Sequence, residues 1–124
     1  MTKLKYLFIF ALITGCYQIE RNCTNFTTGK FKSVISIDGK TYISTFVRDQ
    51  NIQIENFENK TDSSTVRWIN DCEVVFKTIH PKNRAERKDI HLKILTTTDS
   101  SYTFEYNYVG ETVKQKGNAI KIDN

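Results

Sequence analysis

The chain has 124 residues, 18 basic and 14 acidic, for a formal net charge of +4. That length suits one small domain with a modest core, and 39% hydrophobic residues with a single proline argue for a globular chain. Lys3 and Lys5 belong to the leader described next, so without it the balance falls to +2 (16 basic, 14 acidic), too little to point to nucleic acid.

Residues 1–15 have the layout of a secretion signal, expected as a helix that is later removed. Lys3 and Lys5 precede the apolar run Tyr6 to Ile13, which is shorter than the about 20 residues needed to cross a bilayer. The run ends in Leu12-Ile13-Thr14-Gly15-Cys16, the lipobox pattern of bacterial lipoproteins. It predicts a diacylglyceryl thioether on Cys16, cleavage just before it, and a protein anchored in the bacterial cell envelope, facing the periplasm or the cell surface. Two or three acyl chains anchor stably where one binds marginally. Residues 16–22 then form a lipidated tether. Seven extended residues reach about 24 Å, so the single domain at 23–124 sits close to the membrane.

The chain carries three cysteines. With Cys16 in a thioether, Cys23 and Cys72 remain as an even pair in an oxidising compartment. They are expected to form a disulfide, closing a loop of roughly 50 residues worth about 4 kcal/mol in the chain-entropy model. The alternative, Cys16–Cys23, requires an unlipidated Cys16.

From Gly29 onward Val, Ile, Thr, Tyr and Phe dominate, and polar turn clusters recur. Gly29 to Ile37 reads as the first strand. Asp38-Gly39 is a strong hairpin signal, because a type I′ turn needs positive φ at both central positions. Thr41 to Arg48 is the second strand, with Tyr42 and Phe46 on one face. Asp49-Gln50-Asn51 turns the chain into a third strand, Ile52 to Phe57. Glu58 to Ser63 reads as a loop, and Thr65 to Ile69 as the next strand. Asn70-Asp71 turns into Cys72 to Ile79. His80 to Asp89 is the longest polar interruption. Ile90 to Leu95 follows, then the turn Thr98-Asp99-Ser100 and the strand Tyr102 to Tyr108. Gly110 breaks that strand, Glu111 to Lys116 is an eighth, and Gly117-Asn118 is a bulge or turn before Ala119 to Ile122. No segment beyond the leader has a helical period. The fold class is therefore all-β: an antiparallel meander of eight to nine strands forming a small up-and-down barrel or a strongly curved sheet. A two-sheet sandwich needs longer crossovers than these connections supply.

Phe26-Thr27-Thr28-Gly29-Lys30-Phe31, the stretch Val66-Arg67-Trp68-Ile69-Asn70-Asp71-Cys72 and the closing Ile120-Lys121-Ile122-Asp123 resemble a group of small bacterial lipoproteins with a lipocalin-like β-architecture. The resemblance spans roughly residues 23–123. Some members of that group carry a DNA topoisomerase IV label, but this sequence has no ATP-site or cleavage-domain motif. Lipocalins carry Gly-x-Trp on the first strand. Here Gly29-Lys30-Phe31 corresponds, with Phe for Trp, and Lys121 is the nearest basic candidate for the arginine that packs over that ring. The resemblance implies the architecture and no ligand site.

Chemistry-bearing residues are few. His80 and His91 are the only histidines, and a zinc site needs further ligands beside them. His91 alternates with Ile90 and Leu92, which turns it to solvent. Glu55 with Glu58, or Glu73 with Glu105, are the carboxylate pairs that strands bring together, and alternation sends most of them to the polar face. No phosphate loop or nucleophile elbow is present. Trp68, Phe76, Tyr102, Phe104, Tyr106 and Tyr108 form a candidate interior aromatic face, and rings of that size are expected to fill a small barrel. Lys82, Arg84, Arg87 and Lys88, in the long loop, are a candidate contact for an anionic surface, though a solvated loop is the blander account. The function expected is a non-catalytic envelope binding or structural module, without metal or cofactor. Its partner is an envelope protein or a small apolar ligand carried in the lipocalin manner, with an enzyme of unrecognised site the less favoured reading.

Overall fold

A computed structural model describes residues 21–122. The leader, Cys16 and most of the tether lie outside the described residues, as do residues 123–124. The described chain opens with a single 3₁₀ turn, Cys23–Phe26, followed by eight strands: β1 Gly29–Ile37, β2 Lys40–Arg48, β3 Ile52–Phe57, β4 Lys60–Asn70, β5 Glu73–Thr78, β6 Ile90–Thr97, β7 Ser101–Tyr108 and β8 Gln115–Lys121. Each strand pairs antiparallel with the next, and β8 returns to β1, closing a barrel. Full closure leaves no free sheet edge. It also settles the choice between barrel and open sheet.

Two expected boundaries move. The loop expected at 58–63 is instead a tight hairpin. Glu58 and Asn59 both take positive φ (46° and 64°), as Asp38 and Gly39 do at the β1–β2 turn (50° and 78°). Asn tolerates this region, but Glu rarely adopts it, so the residues themselves gave little sign of the turn. Its consequence is that Thr61, Asp62 and Ser63 lie in β4. The second change is at the end of the chain. Glu111 to Lys114 lie outside the strands, and one strand, β8, runs straight through Gly117-Asn118, giving eight strands and not nine. Gly117 is not a bulge. A Cβ there would stand 2.8 Å from the Val34 carbonyl oxygen and 2.9 Å from Phe104 Cζ, so the glycine lets β8 close against β1 and β7.

The barrel has a filled end and an open end. At the filled end Phe26, Phe31, Phe46, Ile94, Tyr102, Phe104 and Ala119 form one buried cluster with Cys23. The 3₁₀ turn plugs this end: the Phe26 ring lies 5.1 Å from Tyr102 and 6.3 Å from Phe31. The Cys23–Cys72 disulfide is present and ties the plug to the β4–β5 turn. Irregularities after Trp68 in β4 and after Ile94 in β6 bend the sheet at the same end, where the Ile94 N–H donates to the Cys72 carbonyl. The other end is rimmed by the turns at 38–39 and 58–59 and by the longer connections 79–89 and 109–114.

Candidate functional site

Strand alternation gives each wall of the barrel its character. On β6 and β7 the pattern is conventional. Ile90, Leu92, Phe104, Tyr106 and Tyr108 face inward, and His91 faces out beside Glu73, at 3.2 Å. On β2 to β4 Tyr42, Phe46 and Phe57 also face inward, but polar residues share that face. Ile43, Val47, Ile52 and Ile54 point outward and are exposed, while Ser44, Gln53, Glu55, Asp62 and Ser64 point inward. Cross-strand partners share a face, and the register fixes the set: Gln53 opposes Ser64 and Glu55 opposes Asp62, while Ser33 opposes Ser44.

The two walls enclose a cavity of about 480 Å³ in the upper half of the barrel. The expectation of a filled interior therefore holds only for the closed end. Four aromatic residues on β7 do not fill the barrel, because they descend along its axis in single file. Tyr102 and Phe104 are buried in the lower core, Tyr106 is half-buried at mid-height, and Tyr108 is exposed at the mouth. All four line the cavity, as does Phe76. Trp68 does not. It packs against the lower core, and its indole N–H is buried without a partner among the described residues.

The floor is Arg48, 2% exposed. Its guanidinium lies 5.0 Å from the Phe31 ring centroid, 5.2 Å from Phe46 and 5.4 Å from Trp68. It donates to the carbonyls of Phe26 and Thr27, to Gln53 Oε1 at 3.0 Å and to the Tyr102 hydroxyl at 3.4 Å. The basic group over the Phe31 ring thus comes from β2, and not from Lys121, whose ammonium donates to the Asn25 carbonyl at 3.2 Å. Alternation held the signal: Arg48 follows Phe46 by two residues and must share its face.

Above the floor lies the carboxylate pair. Burial pushes the Glu55 carboxyl above the ordinary carboxylate range, and the facing Asp62 pushes it further, while a hydrogen bond from Ser44 partly offsets both. The Tyr106 hydroxyl is also held above its usual value, by burial first and then by Tyr108 and Glu55, so Glu55 is felt across the cavity. Ser33, 3% exposed, also lines the space, and no hydrogen bond to its hydroxyl is found among the described residues. The pairings weighed from sequence do not form. Glu58 sits in the turn, while Glu73 and Glu105 flank Lys93 on the outer face, each as its cross-strand partner.

The long basic loop lies at the mouth. Asn83, Ala85, Glu86 and Lys88 line its rim, and Lys88 pairs with Glu111 at 3.0 Å, joining this loop to the 109–114 connection. Lys82, Arg84 and Arg87 are exposed. With its closed floor, open mouth and two unlike walls, the geometry is that of a receptacle. No protein-family model, curated protein or solved structure matches this chain.

Proposed function

We propose that the protein is a non-catalytic binding module of the bacterial envelope that takes up a small, largely apolar ligand inside its barrel. The observation that carries this reading is the cavity of about 480 Å³, which falls in the range of small-molecule sites. Its lining is mixed, with an apolar and aromatic wall from β6 and β7 facing the polar side chains of β2 to β4, and small-molecule sites join apolar surface to placed polar groups in this way. The entrance is the end rimmed by residues 79–89 and 109–114, since the opposite end is plugged by the 3₁₀ turn.

Placement in the envelope rests on two features. The Leu12-to-Cys16 lipobox supplies a membrane anchor, and a disulfide between Cys23 and Cys72 belongs to an oxidising compartment. On this reading the anchor holds the barrel beside a membrane. Replacing Cys16 with Ser is expected to release the protein from the membrane fraction, and an unchanged distribution would remove the anchor from the proposal.

Binding is tested with a neutral apolar fluorophore, N-phenyl-1-naphthylamine. Saturable uptake at one site per chain is expected, and Ser64→Phe, which fills the cavity from β4, should abolish it. Uptake that Ser64→Phe leaves unchanged would place the probe elsewhere and overturn the pocket reading.

A further inference from the structure

We infer that the cavity is a receptor site for an amphipathic organic cation, a protonated primary amine carried on an apolar body. This deepens the ligand-binding reading above and rests on it. The ammonium would lie at the Glu55–Asp62 pair, and the apolar body along Leu92, Phe76, Tyr106 and Tyr108.

The mixed wall of β2 to β4 is the first support. Turning Ser44, Gln53, Glu55 and Ser64 inward while Ile43, Val47, Ile52 and Ile54 face solvent is costly for folding alone, since buried polar groups lose hydration. Local rules are broken in this way where function compensates. Ser33 is the second, independent support. It is nine-tenths buried, lines the cavity and presents a hydroxyl that no described residue engages. An ammonium offers three donors, enough for both carboxylates and one hydroxyl of the Ser33–Ser44 pair.

Charge decides the sign of the ligand. The lining holds two cations, and both are committed. Arg48 is spent on four acceptors and three rings, and Lys88 is paired with Glu111. Glu55 and Asp62 have no cation paired to them among the described residues. A carboxylate head group would meet like charge at mid-height, and an alcohol would leave Glu55 uncompensated.

A pH dependence follows. Asp62 from β4, Ser44 from β2 and Tyr106 from β7 interact with Glu55, and Arg48 from β2, Tyr108 from β7, and Glu86 and Lys88 from the 79–89 loop line the same cavity. Burial and Asp62 raise the Glu55 carboxyl, so Glu55 takes up its proton earlier on acidification than a solvated carboxylate. Amine affinity is therefore highest with Glu55 ionised and falls as pH drops through that raised range.

The test is calorimetric titration of the protein with octylamine, octanol and octanoate. Octylamine is expected to bind at least about tenfold more tightly than octanol, with octanoate weakest. Glu55→Gln should weaken octylamine roughly ten- to hundredfold and leave octanol unchanged. Should Glu55→Gln fold poorly by circular dichroism, Asp62→Asn, at an exposed position near the mouth, gives the same discrimination. Octanol bound as tightly as octylamine, or octylamine indifferent to the substituted carboxylate, overturns the cation and leaves the pocket reading standing. Binding of none of the three overturns both.

Discussion

At the scale of single residues, Arg48 shows how a charge is kept in a nearly dry core. Three rings cover its faces, and four acceptors occupy the edge of its planar fork. Lysine keeps the charge but not the fork. Arg48→Lys is therefore expected to strip partners from the Phe26 and Thr27 carbonyls and to lower stability by on the order of 3 kcal/mol. Urea unfolding measures this, and a loss below about 1 kcal/mol would mean that water replaces the guanidinium without penalty. Glu55 is the converse case. Its carboxylate is held uncomfortably, with burial and Asp62 both acting against its charge. Only the first residue was within reach of sequence reasoning, through its spacing from Phe46.

At the scale of elements, hairpin turns decided which residues entered the barrel. Asp38-Gly39 announces its turn, because both residues accept positive φ. Glu58-Asn59 does not, and reading it as a loop removed Asp62 from the strand where it meets Glu55. On β8 the glycine was visible but its reason was not. Gly117 serves close approach between strands, so even a methyl group strikes the Val34 carbonyl. Gly117→Ala is expected to destabilise by about 1–3 kcal/mol, the usual cost of overpacking. Thermal unfolding beside Gly39→Ala gives the contrast. Gly39 has open space around it and a φ of +78°, so its cost is conformational and not steric. An unperturbed Gly117→Ala would mean that β8 shifts to accept the methyl.

At the scale of the whole molecule, the two ends of the barrel have separate tasks. The plugged end carries the core, and the disulfide holds the plug to the β4–β5 turn. Reduction, or Cys23→Ser with Cys72→Ser, is expected to cost about 4 kcal/mol for a loop of roughly 50 residues. Denaturation with and without reductant checks this. A difference under about 1 kcal/mol would show that the reduced chain keeps the loop closed by packing alone. The open end carries the cavity, and its rim is stitched by the Lys88–Glu111 pair.

The sequence by itself determined the all-β class and the meander, and it reached the Cys23–Cys72 pairing on the condition that Cys16 is lipidated, the bond itself being seen in the structure. These follow from local pattern, from turn chemistry and from the cysteine count. Alternation also placed the β7 aromatics on one face. The tertiary structure alone decided that the sheet closes, that eight strands suffice, and that half of the interior stays open. It also decided which face of β3 points inward. Period-2 alternation separates two faces without saying which is the core. Reasoning from hydrophobicity turns Ile52 and Ile54 in and Glu55 out. Register with β2 and β4 reverses that, because the cross-strand partners Phe46 and Asp62 already face the interior.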